Sequence, residues 1–282
     1  MTLFQTIILG VVQGATEFLP ISSTAHLTLA AKLMGIISPA HPEQWTAYMA
    51  VIQLGTLAAV IVYFRNDIIH IVSSFIEEAV ITRKPYRQQT HNSQMGWLII
   101  AGTLPVAILG IALKKIIEGE LTKNLWVLTF SMVFFAILLW IAERTAKHAR
   151  PIESVTMRDS LIIGCAQAFA LFPGASRSGT TITGGLFCGL NREAAARYSF
   201  LLSIPAVFAS GMLELKEAMR SMDGSDLGTL CIGAAVAFIV GYMAIDFLLK
   251  YLKTRSTNVF AYYRLAVGAA IALALATKLI QP

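Results

Sequence analysis

Charge is scarce in this chain. Lys, Arg, Asp and Glu make up only 13% of its 282 residues, while 56% are hydrophobic; about a quarter charged is usual for a soluble domain. That shortage excludes a water-soluble globule, because too little polar surface exists to cover one. Cysteine is rarer still. Cys165, Cys188 and Cys231 stand singly in apolar segments, which excludes a disulfide framework or a paired zinc site and reads them as small core residues. No Lys or Arg precedes the first apolar run, Leu3–Val12, and no small-residue cleavage site ends it, so a removable signal peptide is not expected. The net charge of +6 does not point to nucleic acid, since the basic residues fall mainly between apolar stretches and report orientation instead.

Long apolar runs are abundant. Ala47–Phe64, Trp97–Leu113, Leu125–Ile141, Leu227–Leu249 and Val259–Leu279 each reach across ~30 Å of hydrocarbon as a helix, the only open conformation that satisfies its own backbone in lipid. The chain also repeats itself. Gly10-Val-Val-Gln13 aligns with Gly164-Cys-Ala-Gln167 at an offset of roughly 154 residues, and the same offset pairs Phe18 with Phe172 and Ser22 with Ser176. In each copy a helical apolar run leads to a Pro, then to a loop rich in Ser, Thr and Gly. A second apolar run follows, Leu27–Met34 or Ile182–Leu190, too short to span. Two short arms around a broken polar loop predict a re-entrant hairpin.

The expected fold is therefore an all-α membrane protein with six transmembrane helices plus two re-entrant helical hairpins in an inverted-topology repeat. The first repeat covers 1–150, with its hairpin at 2–36 and spans about 44–64, 95–115 and 122–144. The second covers 151–282, with its hairpin at 158–190 and spans about 193–214, 226–250 and 258–280. An odd number of spans per half turns the second copy upside down, so both loops meet near the midplane.

One side of this arrangement carries Arg65, Arg83, Lys84, Arg87, Arg144, Lys147, Arg150, Arg158, Arg192, Arg197, Lys250, Lys253 and Arg255. The other carries Lys32, Lys114, Lys115, Lys123, Lys216, Arg220 and Lys278. The richer side is expected in the cytoplasm, with both termini on the periplasmic or extracellular face. Asp67–Ile81 reads as an amphipathic helix on the cytoplasmic surface. Asp246 and Arg264 are expected to pair across adjacent helices, and His41, His70, His91 and His148 to contact water.

Chemistry concentrates in the two loops. Gln13 and Glu17 are four apart and share a helix face, and a carboxylate among apolar neighbours demands a partner or a function. Ser22, Ser23 and Thr24 precede the second arm, with His26 one turn on; free N–H groups at a helix start bind anions, a serine is a nucleophile when a base takes its proton, and histidine is the usual base. In the second loop, Gly174, Ser176, Ser178 and Thr181 surround Arg177, whose guanidinium matches phosphate oxygens and is costly to bury without an anion. An Arg177–Glu17 ion pair is the competing structural role.

With these motifs the chain resembles the undecaprenyl-diphosphate phosphatase family, the bacitracin-resistance membrane phosphatases. The resemblance rests on Gln13-Gly-Ala-Thr-Glu17, Pro20-Ile-Ser22-Ser23-Thr-Ala-His26 and Pro173-Gly-Ala-Ser176-Arg177-Ser178-Gly-Thr-Thr181, and it covers essentially the whole chain. It implies hydrolysis of a polyprenyl diphosphate lipid in the bacterial inner membrane, undecaprenyl diphosphate to the monophosphate, to recycle the carrier for cell-wall synthesis. It also implies a divalent cation, Mg²⁺ or Ca²⁺, tied to Gln13 and Glu17; Gln13 stands where many members have Glu, one carboxylate fewer for the metal. Glu17, His26, Ser176, Arg177 and Thr181 match functional positions, and Ser23, His26 or a metal-activated water would attack. The rival readings are a secondary transporter or flippase for an anionic or lipid-phosphate substrate, since broken helices in inverted repeats suit one, and the phosphatidic-acid phosphatases, whose second histidine after Ser-Arg is missing here. A homodimer is left open.

Overall fold

The protein is described by a computed structural model over residues 1–36, 42–113, 124–221 and 224–280. The expectations for His41, Lys114, Lys115 and Lys123, the outer ends of spans 95–115 and 122–144, and the side chains of Lys216 and Arg220 lie outside the described residues. Among the described residues the secondary structure is helical, with one isolated bridge between Arg150 and Leu190.

The first hairpin is α1 (Leu3–Glu17) and α2 (Ser23–Leu33), followed by α3 (Pro42–Tyr63), α4 (Arg65–Phe75), α5 (His91–Ala112) and α6 (Leu125–Thr145). The second is α7 (Met157–Ala168) and α8 (Arg177–Phe187), followed by α9 (Arg192–Ser221), α10 (Gly224–Leu252) and α11 (Asn258–Ala276). Among the described residues, five segments are long and apolar enough to cross a membrane: His91–Ala112, Leu125–Thr145, Arg192–Leu213, Gly228–Leu252 and Asn258–Ala276. A sixth, Val51–Tyr63 with Arg65–Ile81, passes only as a pair and bends by 76° between the two. The bend and the exposed Ile69, Val72, Ile76, Val80 and Ile81 suit a helix turning from the bilayer onto its surface.

Helix pairing shows how the two hairpins are held. The α1 arm packs on α10 and the α7 arm on α5; α3 packs on α9, and α6 on α11. Hairpin thus meets the other half's span in both copies, while the equivalent pairs α3/α9 and α6/α11 meet each other, as a two-fold axis would require. Close approach depends on small residues. A Cβ on Gly55 of α3 would overlap the Ala234 carbonyl of α10, so the two backbones touch there as small residues in membrane helices allow.

Several expectations need correction. Asp246 does not pair with Arg264: it accepts from Lys250 Nζ at 2.7 Å and from Tyr63 at 3.3 Å, because the lysine one turn on lies on its own helix face. Cys165 and Cys231 are exposed and Cys188 half-buried, so the thiols are not core; a span's outer face is met by lipid, which accepts a thiol as readily. His148 is not simply hydrated, since its Nε2–H donates to the Glu143 carbonyl at 2.8 Å, whereas His70 and His91 are exposed.

Candidate active site

Each loop is a sharp return made in the same way. After Glu17 the chain passes Pro20, which cannot continue the helix, and restarts at Ser22, whose Oγ accepts the Ala25 N–H at 3.4 Å. In the other copy Ser176 caps α8, accepting the Gly179 N–H at 3.2 Å. Both caps hold positive φ, 75° at Ser22 and 70° at Ser176, a region that costs a side-chain-bearing residue on the order of 1 kcal/mol or more and persists where the surroundings over-determine it. Gly174 (φ +87°) takes the one loop position where a Cβ would run into the Leu128 carbonyl of α6. The result is two helix starts, α2 and α8, whose first N–H groups have no partner within their helix.

Glu17 is the hub. It is buried and accepts four hydrogen bonds: Oε2 from Ser23 Oγ at 2.8 Å and Gln13 Nε2 at 3.1 Å, Oε1 from Arg177 Nη2 at 2.9 Å and Gln53 Nε2 at 3.5 Å. Two of these tie the first loop to itself, and the Arg177 bond spans the two halves. Arg177 spends only Nη2 on Glu17; its Nε and Nη1 are buried without partners. A guanidinium with two unanswered, desolvated N–H groups is a receptor for an anion.

His26 faces elsewhere. Its Nδ1 lies 2.7 Å from the Ser22 carbonyl, and a carbonyl only accepts, so Nδ1 carries the proton. In the neutral ring Nε2 then accepts the Tyr263 hydroxyl at 2.7 Å. His26 touches neither Ser23 nor Glu17 by hydrogen bond. Thr24 is exposed beside the α2 start.

The hydroxyls of the second loop divide. Ser178 Oγ donates to the Leu19 carbonyl at 2.9 Å. Thr181 Oγ1 lies 2.7 Å from the Arg177 carbonyl and 2.6 Å from Ser199 Oγ. Both are fully buried, and their protons serve contacts within the protein. Ser176 Oγ accepts from Gly179 and is 3.3 Å from Ser178 Oγ, so its proton can turn to a ligand. The structure therefore brings Gln13, Glu17, Ser23, Ser176 and Arg177 together, and gives Ser178 and Thr181 the task of joining loops and helices.

Sequence reasoning passed over Gln53 and Thr56 of α3, Tyr263 and the role of Arg264. A glutamine and a threonine inside an apolar span were a readable signal, by the same logic that singled out Glu17. Gln167, the repeat partner of Gln13, is buried with neither end of its amide partnered among the described residues.

Among known proteins, the family model described as "Bacitracin resistance protein BacA" matches residues 6–270. The chain is 52% identical to an undecaprenyl-diphosphatase of Syntrophobacter fumaroxidans, over 96% of each chain. It is 47% identical to one of Myxococcus xanthus, over 100% of this chain and 92% of the relative. With one of Chlorobium chlorochromatii it shares 45% over the full length of both.

Proposed function

From the premise that this chain belongs to the bacitracin resistance protein BacA family, we infer that it is an integral membrane phosphatase of the bacterial inner membrane. It hydrolyses undecaprenyl diphosphate to undecaprenyl phosphate and inorganic phosphate, which recycles the lipid carrier for cell-wall synthesis and confers bacitracin resistance.

In our reading the attacking atom is Ser23 Oγ, and the observation that carries this is its 2.8 Å hydrogen bond to Glu17. Glu17 Oε2 takes the hydroxyl proton as Oγ adds to the terminal phosphorus. The bridging P–O bond breaks, and undecaprenyl phosphate leaves with the bridging oxygen. Glu17 passes that proton to the departing undecaprenyl phosphate; water then attacks the phosphoserine and gives one proton to Glu17, which returns it to the Ser23 oxygen as inorganic phosphate departs. The free Nε and Nη1 of Arg177, the Ser176 hydroxyl and the N–H groups at the α2 and α8 starts surround the phosphoryl oxygens, where negative charge builds. His26 steadies the strained Ser22 peptide through its bond to that carbonyl. The acceptor-only carboxylate of Glu17 and the amide oxygen of Gln13 are hard oxygen donors of the kind that hold Mg²⁺ or Ca²⁺ together with substrate phosphates. Such a cation would neutralise phosphate charge.

The test is phosphate release from undecaprenyl diphosphate by protein purified in detergent, with no membrane gradient, combined with rapid quenching of terminally ³²P-labelled substrate. We expect release, and an acid-stable label on the wild type that Ser23→Ala abolishes. Label on histidine would overturn the Ser23 assignment, and no release at all would favour a transporter.

We also propose that the two halves lie inverted, with both termini and the site on the periplasmic side; the excess of Lys and Arg on the opposite side supports this. A membrane-impermeant thiol reagent on intact spheroplasts should label Thr2→Cys but not Arg255→Cys. The reverse pattern would turn the topology over.

A further inference from the structure

Arg264 lies in α11 with its side chain completely buried, and among the described residues no carboxylate pairs with it. Its partners are backbone carbonyls: Nη2 donates to Gly174 at 3.1 Å and to Ala175 at 3.0 Å, and Nη1 to Pro20 at 3.5 Å. Pro20 and Gly174 occupy equivalent places in the two loops, at the same offset of roughly 154 residues that relates the repeats. One side chain from a third element thus grips both returns at the same point of their path. Nε has no partner.

The placement is costly. A guanidinium without a counter-ion in a membrane interior is expensive, and here it also lies against the start of α8: a Cβ on Gly179 would come within 2.7 Å of Nη1. A cation beside a helix N-terminus meets the positive end of its dipole. Glu17 and Arg177 balance one another, so Arg264 leaves one positive charge in the site without a protein anion to answer it.

We propose, on the phosphatase reading above, that Arg264 is a positioning residue that locks the two loops into one site and charges its floor for a polyanionic headgroup. The fork of N–H donors does the first task and the charge the second, so conservative and neutral replacements separate them. Arg264→Lys keeps the charge but cannot hold carbonyls of both loops; its kcat should fall about 10- to 100-fold, the cost typical of a misplaced constellation, with KM and inhibition by inorganic phosphate within about threefold of wild type. Arg264→Met should lose kcat similarly and also weaken phosphate inhibition by about tenfold or more. Gly179→Ala, which crowds the guanidinium at 2.7 Å and also the Ser176 side chain at 3.1 Å, should lower kcat similarly if either Arg264 variant fails to fold.

Rates are taken per folded protein, from thermal melts in the same detergent. Wild-type kcat in Arg264→Lys and in Gly179→Ala would overturn the clamp. Equal phosphate inhibition in Arg264→Lys and Arg264→Met would overturn the role of the charge. Absence of phosphate release by the wild type would instead sink the underlying reading, which keeps the two failures apart.

Discussion

Replacing Glu17 by Gln should lower kcat about 10²- to 10⁴-fold, the range for losing a general base, and this is the largest effect we expect from a change so small in volume. The carboxylate offers two acceptor oxygens, one to Ser23 and Gln13, the other to Arg177 and Gln53. An amide keeps one acceptor and puts an NH₂ group in place of the other. If the NH₂ faces Ser23, the nucleophile loses its base; if it faces Arg177, two donors oppose each other across the site. Neither rotamer preserves both links, and the amide takes no proton in either. Removing one member of a buried ion pair also leaves the other charge unanswered, which commonly costs about 3–5 kcal/mol; Glu17 and Arg177 are 6% and 13% exposed, so most of that penalty applies. Phosphate release and thermal unfolding, measured on the same preparation, read the two effects separately. Turnover above about a tenth of wild type would remove Glu17 from the base's role.

Arg177→Lys should cost about 10²- to 10³-fold in kcat, as removal of a transition-state donor does. The charge survives, and a lysine can still meet Glu17. What disappears is the planar fork in which Nη2 holds the Glu17 carboxylate while the buried Nε and Nη1 have no protein partner. A single ammonium is a point charge and cannot serve both sides in fixed geometry. The signature is a fall in kcat larger than any rise in KM, because the lost contacts strengthen only as the phosphoryl group transfers. A change confined to KM would reduce Arg177 to substrate binding.

Much of this site could be read before any coordinates, and the failures have definite causes. Ser22, Ser23 and Thr24 mark the start of the second arm because a hydroxyl run after a Pro and before an apolar run signals a helix start. Glu17 was conspicuous because ionisable groups in apolar sequence are rare. The Arg177–Glu17 ion pair is expected as a structural role that need not exclude catalysis, and the structure forms that pair. Local pattern does not report rotation about a helix axis or what a distant element presents. Ser178 and Thr181 therefore looked like phosphate ligands although their hydroxyls turn to Leu19 and to Arg177 and Ser199. Arg264 looked like a mate for Asp246 until the fold brought the loop carbonyls under it. Gln53 was readable as a polar residue inside an apolar span and was passed over, whereas Tyr263 meets His26 only because the fold brings α11 beside the first loop, which local pattern does not report.

The bond from Arg177 to Glu17 joins residues 160 positions apart, and this bears on how the protein is made. At roughly 5–20 residues per second of synthesis, the first loop leaves the ribosome on the order of ten seconds or more before the arginine that will answer its carboxylate. Throughout that interval the growing chain holds the Glu17 carboxylate without its counter-ion and, on the proposed mechanism, a nucleophile without a phosphate receptor. On the proposed mechanism, a product truncated before the second loop should not turn over substrate. Competence, on that mechanism, waits for the later half, which supplies Arg177.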